Sequence, residues 1–343
     1  MLYFTTYFDK NYLSRGLVLY DSLKEHSSSF KLFVLCLDDF TLDYFKNHTG
    51  QYPEIEILSL GELEAYDREL NDCKTDRSLI EYYFTLSPCL PLYLLKKHAL
   101  PHICSLDADI FFLQSPELLF NYLNEYSIVI TPHKFSAELS NLVKYGYYNV
   151  SFQIFKNDDN GQNCLANWRE QCLDWCGDHF DEINNRFADQ KYLDEWPQRY
   201  RGAVKILDDH VSGIAPWNLN NYTIKRKNRA FYSNDERMIF YHFHQFKFIS
   251  AKWASHGFNQ YQVKYNGEIG KLYLKYWNRV NKYNKRLSFT KDHSTRSNQL
   301  HAIWQRLQIE DLVYYKPTDL SLFNIRIQKL PLMVKKIMGK LYA

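Results

Sequence analysis

HICSLDADIFF, residues His102–Phe112, is a short apolar run that delivers two carboxylates, Asp107 and Asp109, at its end. In an extended segment residues i and i+2 project to the same side, so both acids face one cleft. Two hard oxygen donors at that spacing suit Mg²⁺ or Mn²⁺. A cation that also holds a diphosphate neutralises the charge gathering on that group as it leaves, which points to group transfer from a nucleotide diphosphate. An Asp-x-Asp triplet alone is common in solvated turns, so the segments around it decide how much weight it bears.

Those segments alternate in type. Residues 2–7 read as a strand, and Leu13, Leu17, Tyr20 and Leu23 then recur at helical spacing through residue 25. Lys31–Leu37 and Ile55–Leu58 are further apolar runs, a charged stretch occupies 61–78, and a helical pattern spans 79–97. Strands alternating with helices predict an α/β domain built on a mostly parallel, Rossmann-like sheet flanked by helices. Ligands of such sheets bind beyond the carboxyl ends of the strands. That rule gathers Asp9, Asn11 and Tyr12, the pair Asp38 and Asp39, and Asp107 with Asp109 at one edge. Farther on, Ser127–Ile130 and Tyr147–Phe155 read as strands and 163–176 as a helix. Met238–Phe248 reads as extended, with an alternation that sets His242 and His244 on one face. After about residue 250 the composition shifts to Lys, Tyr and Asn, with helical periods near 268–285 and 297–308. The expected division is therefore a domain over 1–250 and a mainly helical, basic extension over 251–343.

The composition, 45% hydrophobic and 24% charged, excludes a disordered or fibrous chain. A net charge of +3 gives no ground for a nucleic-acid partner. Seven cysteines form no CxxC pair, and an odd number leaves one unpaired in any scheme within the chain, which fits a reducing compartment. Cys172 and Cys176 are four apart on an expected helix, with no second pair to complete a zinc site, so they read as packing residues. The N-terminus runs directly into strand-like sequence without basic, apolar and cleavage regions, and no run reaches the length of a membrane span. The expectation is a cytoplasmic protein whose sequons at Asn47, Asn149 and Asn221 go unused. The 17% aromatic content is compatible with sugar binding but equally with a β-rich core.

With the blocks placed in order, residues 1–250 resemble the retaining GT-A-fold glycosyltransferases of the glycogenin and bacterial lipopolysaccharide galactosyltransferase type. They look most like the bacterial nucleotide-diphospho-sugar transferases found among surface-polysaccharide enzymes. Thr5–Tyr12 resembles that family's opening block, which implies nucleotide binding by Asp9, Asn11 and Tyr12; an Asp and an Asn can read the donor and acceptor edge of uracil. Ser105–Ile110 resembles its DxD block, with Asp107 and Asp109 as metal ligands and Asp107 also at the nucleotide. Tyr147–Phe152 resembles the FNxG strand near the donor sugar, which brings in Asn149, and Ser151 in the usual glycine position. Phe187–Leu193 resembles the DQD block, with Asp189 on sugar hydroxyls, Gln190 near the anomeric carbon, and Lys191 in place of the last acid. Tyr241–Lys247 resembles the HFxG block, implying His242 as third metal ligand with His244 as alternate, Lys247 on the diphosphate, and Gln245 in place of glycine. Phe84 stands where many members carry arginine, and Arg77, two turns earlier, is a substitute charge near the donor sugar.

The resemblance implies transfer of a sugar from a UDP-sugar to a hydroxyl acceptor with retention, the acceptor being a surface glycan or lipid-linked precursor. The expected cofactor is Mn²⁺ (or Mg²⁺), since imidazole beside carboxylates favours manganese. Gln190 is a poor nucleophile, so covalent and front-face routes both stay open. Two other readings compete. A non-catalytic sugar-nucleotide or glycan-binding module draws on the departures at Ser151, Gln245 and Phe84, and is opposed by the intact Asp107, Asp109 and His242. A haloacid-dehalogenase-type phosphohydrolase is disfavoured by Phe111, where that motif wants a small β-branched residue. Residues 330–343 combine an apolar face with clustered lysines, as a helix lying on the inner, anionic face of a membrane would, or one docked on its own domain.

Overall fold

A computed structural model describes residues 1–250, 253–288 and 312–314, which fall into two compact units, Met1–Phe243 and His244–Ala343. The boundary lies just before His244, earlier than the change in composition near residue 250 suggests.

The first unit begins β1 (Leu2–Phe8), α1 (Leu13–His26), β2 (Phe30–Cys36), α2 (Asp39–Asn47), β3 (Ile55–Ser59), α3 (Leu60–Tyr66), α4 (Arg68–Cys73) and α5 (Leu79–His98). It continues through β4 (His102–Leu106), β5 (Ile110–Phe112), α6 (Glu117–Phe120), β6 (Ile128–Pro132), β7 (Tyr148–Lys156), α7 (Asp159–Asp174), α8 (Trp196–Arg199) and β8 (Val204–Ile206). A hairpin of β9 (Ile224–Lys227) and β10 (Ala230–Ser233) with β11 (Glu236–Arg237) precedes β12 (Phe240–His242). The charged 61–78 stretch thus holds two short helices, and α7 starts four residues before its apolar pattern does, because the Asp158 side chain caps it at the Gly161 amide. Side-chain caps start other helices in the same way. Asp38 accepts from Thr41 N, Ser59 from Glu62 N, and Asp67 from Leu70 N, while Ser78 and Glu81 form a capping box at α5.

Seven strands form the central sheet in the order β3-β2-β1-β4-β7-β6-β8. β3, β2, β1 and β4 are mutually parallel, β7 is antiparallel to both β4 and β6, and β8 is parallel to β6. The sheet is therefore mostly parallel, as expected for this α/β protein. Its central strands are mainly apolar, as burial on both faces requires, with Thr5, Thr6, Ser105, Asn149, Ser151 and Gln153 as buried polar exceptions. α5 and α7 bury Leu86, Leu90, Leu94, Leu165 and Trp168 in one core with Phe33, Ile103 and Phe155 of the sheet. The chain winds outward from β1 to β3, returns through α5, and enters β4 on the other flank of β1. That reversal leaves a crevice outside the carboxyl ends of β1 and β4, the place where open α/β sheets take their ligands.

In the second unit, β13 (Lys247–Ser250), β14 (Trp253–Ser255) and β15 (Leu312–Tyr314) make an antiparallel sheet, and α9 (Gly267–Arg286) buries Leu272, Tyr273, Tyr276, Trp277 and Val280. The composition gave no sign of this sheet. The expected helix at 297–308 and the lysine-rich segment 330–343 lie outside the described residues.

All seven cysteines are free, and all but Cys73 are buried. Among the described residues no helix is long and apolar enough to cross a membrane.

Candidate functional site

β4 ends at Leu106, and the chain turns at once: the Ile110 amide donates to the Asp107 carbonyl (3.2 Å) and β5 begins. Asp107 and Asp109 therefore share a cleft because a tight turn gathers them, and not because they alternate along an extended strand. The Asp107 amide is pinned in turn to the Ser151 carbonyl of β7 (3.0 Å).

The third member arrives from far along the sequence. β12 pairs antiparallel with β5, placing His242 opposite Ile110, and the His242 amide donates to the Ile214 carbonyl (2.9 Å). His242 Nε2 lies 3.0 Å from an Asp109 oxygen and 3.5 Å from an Asp107 oxygen. The ligating atoms of all three residues fall within 4.8 Å of one another. Asp109 and His242 are buried, whereas the Asp107 side chain is 40% exposed, so the cluster opens to solvent on one side. Trp217 meets the imidazole edge-on at 5.3 Å and also borders His133, so the ring is boxed in place. The Asn218 side chain ties the Trp217 loop down, donating to the His133 and Gly213 carbonyls and accepting from the Ala215 amide.

The electrostatics match that geometry. Loss of solvation raises the Asp107 carboxyl to about 6, with His242 pulling it down and Asp109 pushing it up. For His242, burial opposes the imidazolium, but the charges of Asp109 and Asp107 outweigh it and the net shift is upward. Two carboxylates and an imidazole form a donor set that fits a divalent cation of the Mn²⁺ class. Separations near 3 Å are those of neighbouring ligands around a six-coordinate ion with bonds of about 2.1 Å.

The other residues singled out from the sequence occupy varied places. Asp9 closes an Asx turn, accepting from the Asn11 amide (3.0 Å) and from Asn11 Nδ2 (2.8 Å), at the strand end next to that of Asp107. Tyr12 is 42% exposed, with the buried Arg15 guanidinium 4.4 Å from its ring centre. Asp38 is the α2 cap and accepts from the Lys10 amide. Asn149 is buried, its Oδ1 accepting from the Ser151 amide and its Nδ2 lying 3.2 Å from His133 Nε2. Asp189 is buried, accepts from Ser87 Oγ at 2.5 Å, and is raised by burial to about 7; its carbonyl takes the Trp168 indole N–H. Ala188 before it adopts the left-handed region, φ +47°. Gln190 donates to the Tyr145 carbonyl (3.0 Å).

Arg77 is committed elsewhere: it donates to Thr85 Oγ1 and to the Leu173 carbonyl at the end of α7, where a cation complements the helix dipole. The 238–248 stretch is not one strand. It breaks at a turn where Gln245 takes φ +60°, so His242 and His244 share no strand face. His244, 5.9 Å from the Tyr261 ring, and the exposed Lys247, opposite Ser255, belong to the second unit. Sequence reasoning missed Tyr7, Ser87, Trp217 and Asn218. Ser87 carried a usable signal, a hydroxyl inside the otherwise apolar helical run around Leu86–Leu95; Trp217 and Asn218 carried none.

No protein-family model matches the sequence. The chain is 26% identical over 279 residues to the uncharacterized protein YfnD of Bacillus subtilis, a match covering 80% of this chain and 87% of YfnD. Among solved structures it is similar to mouse xyloside xylosyltransferase 1 (12% identity, TM-score 0.43, 60% of this chain and 85% of the other). It is also similar to the glycosyltransferase GlyE of Streptococcus pneumoniae (13% identity, TM-score 0.48, 86% and 66%). Both structures are glycosyltransferases, but likenesses this distant leave the activity to be judged from the residues of the chain itself.

Proposed function

We propose that this chain is a metal-dependent glycosyltransferase that moves a sugar from a UDP-sugar to a hydroxyl acceptor with retention of configuration. The observation that carries the reading is the convergence of Asp107, Asp109 and His242 just outside the carboxyl ends of β1 and β4. A divalent cation held there supplies positive charge to a departing nucleoside diphosphate. Asp9, Asn11 and Tyr12, at the neighbouring strand end, offer the donor and acceptor groups and the ring face that a base and ribose require. Asn149 and Ser151 flank the Asp107 amide from β7, and Asp189 with Gln190 adds a carboxylate and an amide for sugar hydroxyls. The acceptor is a glycan or lipid-linked precursor, consistent with work on the cytoplasmic side of a membrane.

The test uses purified protein with a panel of UDP-, GDP- and CMP-sugars, with and without Mn²⁺, beside Asp109→Ala. The expected result is Mn²⁺-dependent release of UDP from one sugar, lost in the variant. Tight metal-dependent binding without release, even with acceptors added, would favour a non-catalytic sugar-nucleotide module, and absence of nucleotide binding would overturn the reading.

A further inference from the structure

The central strands bury a row of polar residues where this fold wants apolar ones. Thr5 of β1 stands opposite Ser105 of β4, which stands opposite Gln153 of β7, so their side chains share one face of the sheet. Thr5 and Gln153 are fully buried and Ser105 nearly so. Among the described residues, Thr5 Oγ1 and Gln153 Oε1 have no hydrogen-bond partner. Burying such groups costs stability unless something answers them. Two residues on toward the carboxyl ends, the same face presents Tyr7, and the chain beyond β4 reaches Asp107.

Tyr7 is joined to a hydrogen-bonded chain. Its hydroxyl lies 3.0 Å from Ser87 Oγ of α5, and Ser87 Oγ lies 2.5 Å from Asp189 Oδ2. Ser87 Oγ donates its one proton to Asp189 and is left to accept from Tyr7. Burial and the nearby charges of Asp189 and Asp107 hold the Tyr7 proton on, which keeps that direction fixed. The chain draws together the strand that precedes the Asp9 block, the helix that feeds β4, and the loop that carries Asp189 and Gln190. One Asp189 oxygen is thereby fixed, and with it the plane of the carboxylate.

We propose that Ser87 and Tyr7 are positioning residues of a donor-sugar pocket, setting the Asp189 carboxylate to receive the hydroxyls of a pyranose while leaving nucleotide and metal binding untouched. The proposal rests on the glycosyltransferase reading above. Neither Ser87 nor Tyr7 contacts Asp109 or His242 by hydrogen bond, so the two halves of the donor are separable by measurement.

The experiment compares full-length parent, Ser87→Ala, Ser87→Thr and Tyr7→Phe. In the presence of Mn²⁺ it measures the affinity for UDP and the KM and kcat for whichever UDP-sugar the parent hydrolyses. Ser87→Ala is expected to raise the donor KM roughly ten- to hundredfold, the worth of one hydrogen bond to a charged group. UDP affinity stays within about twofold, since no bond to the nucleotide half is lost. Ser87→Thr keeps a hydroxyl and restores the donor KM, and Tyr7→Phe falls between. Equal losses of UDP and donor affinity would show a general disturbance and overturn the proposal, as would a Ser87→Ala protein that behaves like the parent. A parent that binds no nucleotide sugar overturns the functional reading and the proposal with it, an outcome distinct from the other two because it appears before any substitution is made.

Discussion

Binding of Mn²⁺ should be steeply dependent on pH, because the cation competes with protons for its own ligands. Without metal, Asp107 titrates near pH 6 and His242 above its ordinary value of 6.5. Lowering the pH from 7 to 5 takes Asp107 from about one-tenth to nine-tenths protonated, which alone weakens binding about tenfold. His242 is mostly protonated over the lower part of that range. Each further pH unit below its midpoint costs another factor of about ten, so the combined loss between pH 7 and pH 5 is at least a hundredfold.

Titration calorimetry with Mn²⁺, repeated in buffers of different ionisation enthalpy, reads affinity and the number of protons released without needing a turnover. The number of protons released per ion should rise as pH falls from 7.5 to 5, approaching two near pH 5. His242→Ala should bind more weakly at pH 7.5 and release fewer protons per ion near pH 5. Affinity that stays flat between pH 5 and 7.5, or an Asp109→Asn protein that binds as tightly as the parent, would refute the assignment of these three residues to a metal.

Gly213 has φ +68°, and a Cβ there would lie 2.3 Å from Thr131 Cγ2, so Gly213→Ala should destabilise by about 2–4 kcal/mol and weaken Mn²⁺ binding by shifting the Trp217 loop; urea unfolding and calorimetry read both. Gln245 has φ +60°, a conformation that costs a side chain roughly 1 kcal/mol, so Gln245→Gly should stabilise by about that much in the same unfolding assay. Asp189 titrates near pH 4 when unfolded and about 7 when folded, so the native state holds the extra proton and stability falls as pH rises through that window. Asp189→Asn should abolish that fall, leaving the metal-free variant a few kcal/mol more stable than the parent at pH 8 by thermal unfolding.

Local chemistry wrote much of this fold visibly. The apolar runs at β1, β2, β3 and β4 and the helical spacing of α1 and α5 follow from burial on one or both faces, and such periodicity is read without knowing what lies opposite. The acids after β1 and β4 were visible for the same reason, since polar residues at the end of an apolar strand have few places to go. What escaped depends on contacts between distant segments or on backbone conformations without a marker. His242 meets Asp109 only because β12 pairs with β5, and Ser87 meets Asp189 only because α5 packs under the loop after α7. The break at Gln245 lacks the glycine that usually announces φ > 0, and the β9–β10 turn uses Asn228 and Arg229, both with positive φ, where Asn-Gly is the recognisable signature.

The same division explains how the candidate site is built. Its proposed nucleotide side consists of residues held by their own neighbours, such as the Asx turn that locks Asp9 to Asn11, and needs only β1 and β4 side by side. Its metal side is complete only when β12 has crossed to β5 and the Trp217 loop has closed over His242. A chain that binds nucleotide but not Mn²⁺ is therefore the expected signature of damage anywhere between Leu207 and Phe243, including positions far from either ligand. Loss of both together would instead trace to the central strands. Substitutions can be sorted by that pattern before any acceptor is known, because it follows from which strand pairings the two halves of the site require.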